Sequence, residues 1–168
     1  MSQHRGTASK GSNTAEELLL EELKRLYEET DALQSGTSCE ASTECCRFGV
    51  TGREPYVTSI EARAIAKAVA ANGGPLSRKR RALPLAGNGE EERTCPLLTS
   101  SGRCSVYAWR PFGCRTFFCS RATRHGGPVN RKAERELVRV LAELAARHAP
   151  DGDKVRALTQ VLAESRQG

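Results

Sequence analysis

A chain of 168 residues with 38% hydrophobic content and a formal net charge of +6 has the length of one ordinary domain. Leu, Ile, Val and Phe supply 31 of the 168 residues, a little below the roughly 20% of a comfortably packed core, so the fold is expected to need help beyond hydrocarbon burial. The modest net charge and strongly periodic apolar segments exclude wholesale disorder, and no run approaches the roughly 18–20 apolar residues of a membrane span.

Residues 1–13 are rich in Ser, Gly, Thr and Gln and are expected to form a disordered lead-in. They lack the apolar core of a secretory signal. That predicts a cytoplasmic chain, and in a reducing compartment dense cysteines bind metal more often than they form disulfides. Thr14-Ala15-Glu16-Glu17 reads as a capping box. It opens an amphipathic helix over 14–34 with Leu19, Leu23, Leu26 and Leu33 on one stripe. Such a stripe serves either a protein partner or the helix's own domain, the second being the commoner use.

Residues 35–125 read as a cysteine-cluster metal-binding domain. Over 35–57 the chain is expected to be loop-like, broken by Gly36, Gly49, Gly52 and Pro55. A second capping box, Thr58-Ser59-Ile60-Glu61, opens a helix to about Ala71 that Asn72, Gly73 and Gly74 terminate. Its predicted inward face is Ile60, Ala64, Ile65, Ala68 and Val69. Residues 73–94 surround the basic run Arg78-Lys79-Arg80-Arg81 with Pro75, Pro84, Gly87 and Gly89, and read as an exposed connection. Residues 95–119 carry two aromatic groups, Tyr107 with Trp109 and Phe112 with Phe117 and Phe118. Of these, Tyr107, Trp109, Phe117 and Phe118 are expected to pack as an apolar shell around the cysteines, with a substrate pocket as the sharper alternative. In the C-terminal helical segment, 126–168, one helix is predicted from Pro128 to His148, with Leu137, Leu141, Leu144 and Ala145 on its inner side. A last helix, capped by Asp151, is predicted to run to about Ser165 with Val155, Leu158 and Leu162 inward. The fold class is therefore mainly α: a small single domain with helices around an irregular, metal-stapled, cysteine-rich core.

The seven cysteines fall into two groups, Cys39, Cys45 and Cys46, then Cys95, Cys104, Cys114 and Cys119. An odd number strands one thiol under pure disulfide pairing. Neither group contains the C-x2-C pair of common zinc modules or the tight ferredoxin run, so spacing leaves the metal open. Thiolates are soft ligands suited to zinc, iron–sulfur clusters and monovalent copper. Arg47, Arg103, Arg110, Arg115 and Arg121 stand close to the cysteines in sequence, where positive charge lowers a thiol's pKa. A zinc ion or a [4Fe–4S] cluster, the favoured cluster type, takes four protein ligands and leaves three thiols over. The adjacent side chains of Cys45 and Cys46 are expected to diverge rather than share one ion. His125 could add a nitrogen, although a lone His at that distance is more often solvent-exposed.

Three stretches carry a family likeness: Cys95-Pro96-Leu97-Leu98, Gly102-Arg103-Cys104-Ser105-Val106-Tyr107 and Arg110-Pro111-Phe112-Gly113-Cys114-Arg115. They resemble the YkgJ-type cysteine-cluster proteins, whose domain is described as zinc- or iron-chelating. The family's first motif is approximately C-x2-C-x2-C-C. Cys39, Cys45 and Cys46 fit three of its positions, Ser42 stands where the second cysteine belongs, and Cys119 is the candidate substitute. Over about 39–119 the resemblance implies a zinc or iron–sulfur site built from the thiolates of two separated motifs. It also implies an alternative, a cluster-dependent modification enzyme or accessory subunit, because the domain is similar to part of flagellin lysine-N-methylases. The residues themselves offer no Gly-rich loop after a strand, no Ser/His/Asp set and no H-E-x-x-H helix, so a role without turnover is the favoured reading. A metal-stapled nucleic-acid module using Arg78–Arg81 and Arg121–Arg124 is a further alternative that the basic excess permits. At 5% aromatics a base-stacking surface is not evident.

Overall fold

The computed structural model describes residues 10–34, 43–74, 93–117 and 130–164. The described elements are mainly helical. Helix α1 spans Lys10–Leu33, so it begins four residues before the capping box at Thr14. A capping box is a local preference of about 1 kcal/mol, which continued backbone hydrogen bonding overrides. The buried stripe of α1 is Leu19, Leu20, Leu23, Leu26, Tyr27 and Thr30. Leu33, predicted inward, is 40% exposed at the end of the helix.

Helix α3, Ser59–Ala71, follows the short helix α2 at Phe48–Thr51. Its capping box forms, with Glu61 Oε2 accepting the Thr58 backbone N–H at 2.9 Å. At its other end the Asn72 N–H reaches the Ala68 carbonyl and the Gly74 N–H the Val69 carbonyl. Helix α4 is one turn, Phe112–Arg115. Helix α5, Arg131–His148, is capped by Asn130, whose side chain accepts the Ala133 N–H at 3.0 Å; Pro128, its predicted start, lies outside the described residues. The last helix, α6, covers Leu158–Glu164.

That last helix is shorter than Asp151 predicts. Asp151 adopts φ +57° in a turn, and Arg156–Ala157 (β2) pairs antiparallel with Tyr56–Val57 (β1). Strand pairing claims the backbone groups that a longer helix would need, and it leaves Val155 exposed while Leu158, Val161 and Leu162 turn inward. The described part of the predicted loop, 43–57, contains regular elements: a 3₁₀ turn at Glu44–Cys46, α2 and β1.

Two apolar clusters result. The first joins the α1 stripe to Ile60, Ala64, Phe112, Leu137, Leu141, Leu144 and Ala145, with Trp109 against it. Each fully buried Leu or Ile contributes about 1.5–3 kcal/mol. Bidentate Arg147 to Glu22 at 2.7 and 2.8 Å ties α5 to α1 at the surface, where such pairs contribute little. The second cluster gathers Phe48, Val57, Ile65, Leu97, Val106, Leu158, Val161 and Leu162, and it includes Cys95. Helix α3 is the wall between them, with Ile60 on one side and Ile65 on the other. Its N-terminus is seated against the turn after α5 by the Ser59 N–H to Gly152 carbonyl bond. Position 152 must be glycine: a Cβ there would overlap the Ala145 carbonyl oxygen and Ser59 Oγ.

Candidate metal centre

Three segments bring the described cysteines together. The 3₁₀ turn carries Cys45 and Cys46. A hairpin-like segment carries Cys95 and Cys104, closed by the Leu98–Cys104 bridge and by Ser105 N–H to Leu97 carbonyl at 2.8 Å. Its tip turns at Gly102 with φ +72°, a backbone shape that glycine adopts at no steric cost. Helix α4 carries Cys114. Backbone hydrogen bonds lock the first two segments, Cys95 N–H to Cys46 carbonyl at 2.7 Å and Gly49 N–H to Arg93 carbonyl at 3.0 Å. Asn72, at the end of α3, holds the far side through the Ser105 carbonyl at 2.7 Å.

The five described cysteines are free thiols. Cys45 Sγ and Cys46 Sγ are 4.0 Å apart, so these adjacent side chains converge where divergence was expected. Two sulfurs at 2.3 Å from a tetrahedral zinc lie about 3.8 Å from each other, so the pair is spaced as two ligands of one ion would be.

The thiols feel one another electrostatically. Cys45 is pushed well up by its hydrogen bond to Cys46 and by burial. Burial, then the neighbouring Cys45, Cys46 and Cys104, pushes Cys114 up strongly. Burial also raises Cys104, with Cys45 adding to the shift. For Cys46 the hydrogen bond from Cys45 lowers the pKa, but the bond to Cys95, burial and the charges of Cys95 and Cys104 outweigh it, and the thiol is pushed up to about 11. Neutral thiols are thus favoured while no cation balances them.

Arg110 opposes these shifts at Cys45, Cys104 and Cys114. It stacks 4.4 Å over the Tyr107 ring and pairs with Asp31 of α1 at 3.3 Å. Arg115 does something else. Its buried guanidinium donates from Nε to the Arg110 carbonyl at 2.9 Å and from Nη2 to the Ala108 carbonyl at 2.6 Å. It also pairs with Asp31 and lies 4.1 Å over the Tyr27 ring. It therefore fixes the loop before α4 rather than tuning the thiols. Arg47 and Arg103 are exposed.

Beneath α4 sits a buried carboxylate, Glu61, 1% exposed. Besides Thr58 it accepts the Phe112 N–H at 2.7 Å and the Tyr27 hydroxyl at 3.2 Å. Burial raises its pKa against the pull of these donors. Glu61 thus joins α1, the start of α3 and the start of α4, two residues before Cys114. Sequence marked it as a helix cap; its reach to Phe112 had no sequence signal. Tyr27, Asp31 and Phe48 were likewise silent, since each acts across more than 30 positions or within a mixed cluster.

Of the residues predicted for the site, Cys45, Cys46, Cys95, Cys104 and Cys114 are brought together. Cys39 and Cys119 lie outside the described residues, as do Ser42, Arg121, His125 and the basic runs Arg78–Arg81 and Arg121–Arg124. The aromatic shell is corrected in part. Trp109 packs against the helical cluster and Tyr107 is 60% exposed, so Phe48, Val57, Leu97 and Val106 form the apolar surround of the cysteines. Phe118 lies outside the described residues. Phe117 instead lines a cavity of about 500 Å³ that Cys45 and Cys114 border. Among the described residues no three His, Cys, Asp or Glu side chains stand in metal-holding geometry. The donor chemistry fits a soft cation, with five free, partly buried thiols on three converging segments.

Small helical domains that gather free thiols from separated loops make up a class of cysteine-cluster proteins, and this fold and donor set fall within it. Residues 38–137, more than half of the chain, match the CxxCxxCC family, described as a "Putative zinc- or iron-chelating domain". The chain belongs to that family. The matched span takes in both cysteine groups, α3 and the first turns of α5. No curated protein and no solved structure matches the chain. No helix among the described residues is long and apolar enough to cross a membrane.

Proposed function

We propose that thiolates from both cysteine groups hold one zinc or iron–sulfur centre, and that the protein works as a metal-binding module without turnover of its own. The observation that carries this reading is the meeting of Cys45, Cys46, Cys95, Cys104 and Cys114 on three segments tied by backbone bonds such as Cys95 N–H to Cys46 carbonyl. Cys39 and Cys119 complete the candidate ligand set. Bound metal would supply the positive charge that lets several thiols ionise side by side, and its binding free energy would add to folding. Among clusters [4Fe–4S] is favoured, and the four thiolates it takes fall within the seven of the sequence.

Anaerobic purification followed by elemental analysis and a visible spectrum tests the reading. Iron with sulfide and a broad absorbance near ~400 nm selects a cluster, and one colourless zinc selects a mononuclear site. Fully folded protein free of metal under these conditions would overturn it.

A further inference from the structure

The cavity beside Cys45 and Cys114 contains a cation that no described carboxylate answers. Glu54, which lines the same cavity, has both carboxylate oxygens committed to partners outside its lining. Its Oε1 accepts the Thr159 N–H at 2.8 Å and the Thr159 hydroxyl, and its Oε2 pairs with Arg93 at 2.8 Å. Arg93, Arg110 and Arg115 each meet a carboxylate, whereas Arg53 makes no ion pair among the described residues. Its guanidinium instead sits 6.0 Å from the centre of the Phe117 ring. Alternation along β1 buries Val57 and turns Tyr56 outward, toward the same cavity. On the opposite wall Gly113 rests against Pro55, where a Cβ would come within 3.3 Å of the proline side chain, so α4 lies close enough for Cys114 to border the space.

One guanidinium, two aromatic side chains and a volume of about 500 Å³ make a site of small-molecule size, whose lining also includes Glu54, Thr116, Cys45 and Cys114. We propose that this cavity binds a small aromatic carboxylate, with Arg53 pairing the carboxylate and Tyr56 and Phe117 flanking the ring. Planar guanidinium matches a carboxylate with two parallel hydrogen bonds, and ring faces prefer offset or edge contacts with a second ring. The bound ligand would lie at the edge of the thiol cluster. Its position beside a metal rests on the proposed metal-binding function; its binding to Arg53 does not.

The test is calorimetric titration of the full chain as purified anaerobically, with benzoate as the probe, benzamide as its neutral isostere, and metal content measured on the same sample. Benzoate should bind saturably, and benzamide at least about 10-fold more weakly. Arg53→Gln should weaken benzoate by about 10- to 100-fold, as expected for loss of a charged hydrogen-bonding partner, while metal content stays as in the wild type. Equal affinity for benzoate and benzamide, an unchanged affinity in Arg53→Gln, or no saturable benzoate binding would each overturn the proposal. The two readings separate cleanly. Metal-free protein that binds benzoate through Arg53 keeps the cavity and removes the metal centre, whereas metal-loaded protein that ignores benzoate does the reverse.

Discussion

The bundle of α1, α3 and α5 and the cysteine region on the other side of α3 are held by different forces. In the bundle Leu23, Ile60 and Ala145 are wholly buried, and each helix reaches the others through a stripe repeating every three or four residues. In the cysteine region regular structure shrinks to single turns and two-residue strands. Backbone hydrogen bonds between segments align it, and its interior mixes Phe48 and Val106 with Cys46, Cys95 and Cys104. Hydrocarbon burial is enough to close the first region. The second brings its sulfurs near one another as neutral thiols; they would repel as thiolates, and under the proposed function a cation would offset that repulsion.

The largest effect that distinguishes the two regions should come from metal removal. Structural zinc in small modules contributes on the order of 10 kcal/mol of folding free energy, and Cys114→Ser should lower both metal content and melting temperature. Hydrogen exchange should show lost protection over 44–51 and 93–115, with the buried faces of α1 and α5 still protected. Wild-type metal content and melting temperature in that variant would break the comparison. Next comes Leu23→Ala, in a wholly buried bundle position, expected to cost about 3 kcal/mol in denaturant unfolding. Below its melting point it should keep the metal stoichiometry of the wild type. Loss of metal there would mean that the two regions are one cooperative unit.

Glu61→Gln sharpens the boundary. Four donor groups point at this carboxylate, the Thr58 N–H, the Thr58 hydroxyl, the Phe112 N–H and the Tyr27 hydroxyl. An amide sets its own N–H against one of them, which should cost about 2 kcal/mol. Because Glu61 anchors α1 and α4 alike, metal affinity and bundle stability should fall together, measured by chelator competition and by unfolding. A drop in only one would confine Glu61 to that region.

The smallest effect is a pH dependence. Cys45, Cys46 and Cys114 have folded-state pKa values above the ordinary 9.0, Cys46 near 11. The unfolded chain therefore releases these protons first as pH rises. Metal-free protein should keep its stability below about pH 9 and lose it progressively toward pH 11, on the sign of the linkage relation. Metal affinity should move the other way, strengthening as pH rises, since each thiolate ligand must first lose its proton. A flat affinity between pH 6 and 9 would show that the thiols are not the ligands.

Much of the helical half was legible beforehand. The stripe of Leu19, Leu23 and Leu26, the Thr58 capping box, the Gly73-Gly74 stop and the inner face of α5 are all encoded within a few turns of chain, where propensity and periodicity act. Local signals failed where a distant segment competed: Arg156–Ala157 pairs with Tyr56–Val57 across about a hundred positions, which cuts short the helix that Asp151 would have begun. The motif cysteines were equally visible as residue types. Their mutual placement was not, because it depends on Cys95 meeting Cys46 through the backbone and on the adjacent Cys45 and Cys46 sulfurs approaching to 4.0 Å.

Alone, the string of residues determined the helical class, the membership in a thiol-rich family and the soft-metal chemistry, since these follow from periodicity and from the nature of sulfur. Tertiary structure decided what each charged group does: Arg110 faces the thiols, Arg115 holds a loop, Glu61 joins three helices and Arg53 borders a cavity with no ion pair among the described residues. Charge interactions act over a few ångströms through space, and nothing in the local pattern says which side chains will share those few ångströms.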